Sequence, residues 1–211
     1  MKPTPTWKFL QAICRIATTL LFDLKVFGVH RIPQEGGVLV VCNHQSYLDP
    51  VLVAVRSRRP LSYMAKSELF GFKPFDWLIR SLGAFPVRQG AGDVRAIKEA
   101  IERLQQGDAL TIFPEGSRSE DGGLLPIEPG IGLMVRKAKV PVLPVVIDGA
   151  FRAWPKGRRI FGPAPVRVLY GSPMDLSKLD REKIIQTIDA AFHDMLSQLR
   201  ENRGARDCRE A

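Results

Sequence analysis

The chain has 211 residues, enough for one well-formed core and too few for two comfortable domains. Its 31 Lys and Arg outnumber 22 Asp and Glu, and the net charge of +9 favours anionic partners, whether nucleic acid, lipid headgroups or phosphorylated substrates. Nucleic acid has only that charge in its favour, because no recognition motif and no interleaving of aromatic and basic residues accompanies it. The three cysteines, Cys14, Cys42 and Cys208, are scattered without paired spacing, which fits a reducing compartment and gives neither a disulfide framework nor a zinc pattern.

From Trp7 to about Phe27, apolar residues at Phe9, Leu10, Ile13, Ile16, Ala17, Leu20, Leu21 and Leu24 recur at helical spacing on one face. Lys8, Arg15 and Asp23 interrupt the run, so it contains no uncharged stretch able to span a bilayer core of ~30 Å. No small-residue cleavage site follows, which argues against a secretory signal. Two readings stay open here: a helix packed on the core, or one lying in the lipid headgroup layer.

Alternation follows. Gly37–Cys42 reads as a buried strand, Asp49 to about Arg56 as a helix, and Leu61–Ala65 as a strand. A helix carrying Trp77, Leu78, Ile79 and Leu82 precedes a short strand at Ala84–Val87, whose Pro86 is tolerated only at an edge or a strand start. Asp93–Gln105 is an amphipathic helix, Ala109–Phe113 a strand, Pro129–Ala138 a helix, and Val142–Ile147 and Val166–Tyr170 strands. The last helix is expected from near Ser177, with Asp180 completing a weak capping box, and places Ile184, Ile188, Phe192, Met195 and Leu199 on one face. The reading is one α/β domain with a central mixed, mostly parallel sheet flanked by helices. Residues 1–27 form its N-terminal amphipathic segment, 28–202 the domain and 203–211 a charged, frayed tail.

Two constellations carry chemistry. Asn43-His44-Gln45-Ser46-Tyr47-Leu48-Asp49-Pro50 follows directly on the Gly37–Cys42 strand, with Pro50 as the first helical residue and Asp49 as its N-cap. Five residues apart on one continuous helix, His44 and Asp49 would point ~140° apart. On a strand–loop–helix corner they can meet, the carboxylate fixing the imidazole tautomer and leaving the other ring nitrogen to accept a proton from an alcohol. A bare His-x4-Asp is common by chance, and by itself is better explained by a loop histidine beside a helix cap. The second constellation, Phe113-Pro114-Glu115-Gly116-Ser117-Arg118-Ser119, opens from a strand as a tight loop. Its arginine fork, hydroxyls and backbone N–H groups can hold a phosphate, although a turn with a solvated arginine is the default for such a loop in isolation.

Taken whole, the first string resembles the leading motif of the glycerolipid acyltransferases, specifically the 1-acylglycerol-3-phosphate acyltransferases. The resemblance implies His44 as general base and Asp49 as its partner, with supporting roles for Asn43 and Ser46. The second string resembles the family's Phe-Pro-Glu-Gly-Thr-Arg-Ser motif with Ser117 in place of Thr, and implies that Glu115, Gly116, Ser117 and Arg118 bind the glycerol phosphate. Gly83–Arg88 resembles an intermediate motif in which Arg88 helps to hold that phosphate. Val140–Val145 resembles a final motif in which Pro144 shapes the pocket wall. Lys66, at a strand end, could add a charge to the site or be a solvated surface residue.

The resemblance spans roughly Gly28 to Tyr170 and implies direct acyl transfer from an acyl carrier protein or coenzyme A thioester, with no metal and no tightly held cofactor. The implied acceptor is lysophosphatidic acid, reached at the cytoplasmic face of a membrane, which favours the headgroup reading of the N-terminal helix. The alternatives are another acceptor of the same superfamily (glycerol 3-phosphate, a lyso-phospholipid or a lyso-aminolipid), and behind these a thioesterase or a non-catalytic lipid-binding protein. The tetrahedral oxyanion needs preorganised donors, for which backbone N–H groups near the start of the Asp49 helix are candidates.

Overall fold

The computed structural model describes residues 3–87 and 94–207. Seven strands form the central sheet: β1 (Lys25–Phe27), β2 (Val38–Cys42), β3 (Ser62–Lys66), β4 (Ala84–Val87), β5 (Ala109–Ile112), β6 (Val142–Asp148) and β7 (Arg167–Tyr170). Their spatial order is β1-β7-β6-β2-β5-β3-β4, and every neighbouring pair is parallel except β6 and β7. The helices are α1 (Pro5–Phe22), α2 (Asp49–Ala54), α3 (Lys73–Ser81), α4 (Val94–Gln105), α5 (Gly130–Ala138), α6 (Ala150–Ala153) and α7 (Arg181–Asp207).

The central strand β2 is buried at every position, as a strand covered on both faces must be. Alternation sends Val38, Val40 and Cys42 toward Phe22, Leu52, Val53 and Ala150 on the α1, α2 and α6 side. Leu39 and Val41 point the other way, to Leu104, Val135, Ile188 and Phe192 of α4, α5 and α7. The mixed, mostly parallel sheet flanked by helices is as the sequence led us to expect. Pro86 is accommodated because β4 is an edge strand.

The first helix differs from expectation. Thr4 caps it, its Oγ1 accepting the Trp7 N–H at 3.1 Å, and it ends at Phe22, where Asp23 turns into the left-handed region at φ 38°. Lys25–Phe27, expected to continue the helix, is instead an edge strand parallel to β7. The helix touches the protein through Trp7, Thr18 and Phe22, and Gln11 donates to the carbonyls of Ala54 (2.9 Å) and Ser57 (2.7 Å) behind α2. The apolar stripe of Phe9, Ile13, Ile16 and Leu20 faces outward, with Leu20 79% exposed. Among the described residues no helix is long and apolar enough to cross a membrane.

Other boundaries shift for local reasons. The last helix begins at Arg181 rather than near Ser177, because Asp180 Oδ1 accepts the Lys183 N–H at 2.8 Å as an N-cap, while Ser177 closes a turn on Asp175. Its helical backbone continues to Asp207, through residues expected to fray.

Arg59 is a structural residue that the sequence did not mark. It is 8% exposed and donates to the carbonyls of Pro33 (2.8 Å), Gly36 (2.9 Å) and Gly107 (2.6 Å), tying together three loops. Arg59→Met keeps the stem but strands those acceptors. We expect a loss of about 3 kcal/mol in chemical denaturation, and a loss below about 1 kcal/mol would mean that water replaces the guanidinium.

Candidate active site

Strands β2, β5 and β6 end at the same edge of the sheet, and both constellations are loops leaving that edge. Asn43 extends the β2–β6 ladder with its side chain. Its amide donates to the Ile147 carbonyl at 3.0 Å and accepts the Ile147 N–H at 2.7 Å. The two loops are joined directly, since the Ser119 N–H donates to the His44 carbonyl at 2.8 Å and Gln45 Nε2 to the Gly122 carbonyl at 2.7 Å. Segments 77 residues apart in sequence are thereby held as one surface.

Asp49 is fully buried, and its Oδ2 accepts the backbone N–H groups of Gln45 (2.6 Å) and Ser46 (2.7 Å). His44 Nδ1 lies 2.7 Å from the same oxygen. An oxygen already accepting two N–H groups serves a third as acceptor, so Nδ1 carries the proton and Nε2 presents its lone pair. The ring is clamped by stacking on Phe113, with centroids 4.1 Å apart and planes 18° apart, and its side chain is 20% exposed. The arrangement is an oriented imidazole able to take a proton from a group arriving from outside.

Asp49 differs from its expected place as N-cap. Leu48 is the cap and Asp49 the first helical residue, so its carboxylate turns back to the loop instead of closing its own helix. That changes the expected oxyanion site as well. The N–H groups of Gln45 and Ser46 serve Asp49, that of Leu48 serves Ser46 Oγ (3.1 Å), and that of Asp49 serves the Ser46 carbonyl (3.4 Å). The start of α2 therefore spends these donors internally.

Glu115 is 4% exposed and accepts the His44 N–H at 3.3 Å through Oε2. Burial pushes its carboxyl from the ordinary 4.5 up to about 7, the nearby Asp49 charge adds to the rise, and the N–H groups of His44 and Leu125 oppose it. Because the folded value lies above the unfolded one, this group favours folding below pH 4.5, and that contribution is lost as pH rises through about 7. Glu115→Gln should flatten the dependence of melting temperature on pH across this window, where the shift corresponds to at most about 3 kcal/mol. An unchanged slope would show that Glu115 ionises normally.

Arg118 rests on Tyr47, its guanidinium carbon 3.5 Å from the ring centroid. Its Nη1 is buried without a hydrogen-bond partner among the described residues. Gly116 holds the turn before it at φ 68°, a conformation suited to glycine, and both Gly116 and Ser117 are exposed. Lys66 closes β3 at the same edge, two strands from β2. Arg88 lies outside the described residues.

Three of the expected site residues are taken up by contacts within the protein. The Asn43 amide is taken by Ile147, and Ser46 Oγ donates to the Trp154 carbonyl at 2.8 Å. Pro144 is buried mid-strand opposite Val41, near Gly171 and Met195. The Cys42 thiol is fully buried, and burial pushes it well above its usual range, in keeping with packing rather than nucleophilic chemistry. Tyr47 and Trp154 were missed: Tyr47 occupies the variable position of its motif, and Trp154 lies far along the chain.

Residues 23–148 match the family model described as Acyltransferase. The 1-acyl-sn-glycerol-3-phosphate acyltransferase of Bacillus subtilis (strain 168) is 24% identical over 197 residues, covering 92% of this chain and 96% of the relative. The lyso-ornithine lipid O-acyltransferase of Pseudomonas aeruginosa is 32% identical over 138 residues, or 64% of this chain and 51% of that protein. This chain likewise spans about half the length of several plant and streptococcal relatives. The crystal structure of the 1-acyl-sn-glycerophosphate acyltransferase PlsC from Thermotoga maritima superposes with a TM-score of 0.79 at 32% identity, covering 91% of this chain and 79% of that one. His44, Asp49 and the Phe113–Ser119 loop all fall within the matched span, and the chain belongs to the acyltransferase family.

Proposed function

We propose that the protein transfers a fatty acyl group from a thioester to the sn-2 hydroxyl of 1-acylglycerol 3-phosphate, giving phosphatidic acid. The observation that carries this reading is the buried, triply bonded Asp49 oxygen holding His44 in the proton-accepting tautomer beside the Arg118 loop. His44 Nε2 takes the hydroxyl proton as that oxygen attacks the thioester carbonyl. When the tetrahedral intermediate collapses, the C–S bond breaks and the thiolate leaves with the proton returned by the imidazolium. Arg118, braced by Tyr47, holds the acceptor's phosphate and so keeps its hydroxyl within reach of the base. The donor is an acyl carrier protein or coenzyme A thioester, and neither a metal nor a bound cofactor takes part.

The acceptor lies in a bilayer, which the outward stripe of α1 suits: its apolar residues enter the headgroup layer, with Lys8 and Arg15 exposed on the same helix. The protein works in this reading as a peripheral enzyme on the cytoplasmic face. A lyso-aminolipid acceptor is the second reading, favoured by the likeness to the lyso-ornithine lipid enzyme.

Free-thiol release from acyl-coenzyme A and acyl carrier protein, in vesicles with or without 1-acylglycerol 3-phosphate, tests the proposal. Release that needs this acceptor is expected. Acceptor-independent release would make the protein a thioesterase, and release with lyso-ornithine lipid alone would establish the second reading. In the same assay Arg118→Ala should raise the acceptor KM by roughly 10- to 100-fold, the worth of one charged hydrogen-bonded contact, with the thioester KM unchanged. The opposite pattern would move Arg118 to the donor side.

A further inference from the structure

The loop after α6 belongs to none of the motifs, yet it is built into the site. Ser46 Oγ donates to the Trp154 carbonyl at 2.8 Å, the Trp154 indole N–H donates to the Arg158 carbonyl at 2.8 Å, and the Gly162 N–H donates to the Ala153 carbonyl at 2.9 Å. These bonds close residues 153–162 into a fixed projection. A succession of rings runs along its base. Arg118 lies over Tyr47, Tyr47 is 5.2 Å from Trp154, Trp154 is 5.7 Å from Phe161, and Phe161 meets Phe22 of α1 edge-on at 6.0 Å.

The outer side of the projection is unusual for a loop. Ile160 is 74% exposed and Phe161 44%, and Arg158 and Arg159 are exposed immediately before them. Arg152 is exposed at its root, whereas Lys156 pairs with Glu120 at 3.1 Å. Apolar side chains rimmed by arginines match a bilayer surface, with hydrocarbon for the first and anionic headgroups for the second. The contact between Phe161 and Phe22 places this loop against the last turn of α1.

We infer that residues 152–161 form a second lipid-contacting element, which docks on an anionic bilayer together with α1 and brings the Arg118 site to the headgroup layer. This rests on the reading that the acceptor is a membrane lipid. Two attachments fix the orientation of the domain as well as its distance from the bilayer, so the face bearing Arg118 and His44 meets the acceptor as it lies in the membrane.

Co-sedimentation of the full chain with phosphatidylcholine vesicles, with or without phosphatidylglycerol, tests the inference. Ile160→Ser should weaken partitioning to both vesicle types by roughly tenfold. Arg158→Gln with Arg159→Gln should weaken binding only to the anionic vesicles, by about fivefold for each charge removed. All these variants should keep wild-type thiol release in detergent micelles, where docking is not needed. Unchanged partitioning in every variant overturns the inference. Unchanged partitioning with poorer use of acyl carrier protein in micelles also overturns it, and assigns the arginines to that acidic donor. If the wild-type protein shows no acyl transfer in micelles, the proposed reaction fails, while the vesicle measurement still decides the docking.

Discussion

His44→Ala should lower acyl transfer by about a thousandfold while leaving the melting temperature nearly unchanged. A positioned general base contributes about 10²–10⁴ in rate, and without it the acceptor hydroxyl must lose its proton to solvent. The fold should tolerate the change because what holds this corner together is mostly not the ring. The His44 backbone pairs with Ser119 and Glu115, and the Asp49 carboxylate still accepts from Gln45 and Ser46. The ring's own contacts are Asp49 and the stack on Phe113. Acyl transfer within roughly threefold of wild type, measured by product formation with saturating acceptor, would remove His44 from the mechanism.

Asp49→Asn should cost at least about a hundredfold in kcat with a modest effect on stability, and Asp49→Ala should lose both. Asparagine still offers an oxygen to the three N–H groups that converge on Oδ2, so the loop keeps its shape. What disappears is the negative charge that stabilises the imidazolium once His44 has accepted a proton. Alanine leaves two buried backbone N–H groups without an acceptor, and we expect a further loss of about 3 kcal/mol in urea unfolding. Comparing the two variants separates the charge of Asp49 from its role as a scaffold. If Asn and wild type turn over alike, Asp49 serves the fold alone.

Most of the sheet was legible because its strands are short apolar runs set between amphipathic helices, and the motif loops follow directly on β2 and β5. β1 was not legible, since three residues are too few to show a period of two, and Leu24 continues the apolar rhythm of the helix before it. The meeting of His44 and Asp49 followed from the order of strand, loop and helix. Which residue caps the helix did not, because a carboxylate at that corner can bond forward to the helix or back to the loop. Here the N–H groups of Gln45 and Ser46 draw it back. The brace of Tyr47 under Arg118 and the loop from Arg152 to Phe161 depend on tertiary contacts that no local pattern encodes. Arg59 looks like a surface residue in a basic stretch, and only the convergence of three distant carbonyls makes it structural.

The short helix α2 is shared between two parts of the molecule. Asp49 stands at one end, and the carbonyls behind the other end are held by Gln11 of α1, whose last turn is further pinned where Arg167 donates to the Asp23 carbonyl at 2.8 Å and side chain at 3.1 Å. The amino-terminal helix is therefore not a detachable handle. Cutting it away would take Phe22 out of the core cluster that holds Leu52 and Val53, strip the Gln11 bonds from the end of α2 and loosen the segment that orients the base. A version of this protein suited to work without lipid is better made by exchanging the outward residues Phe9, Ile13, Ile16 and Leu20 for polar ones than by starting the chain later.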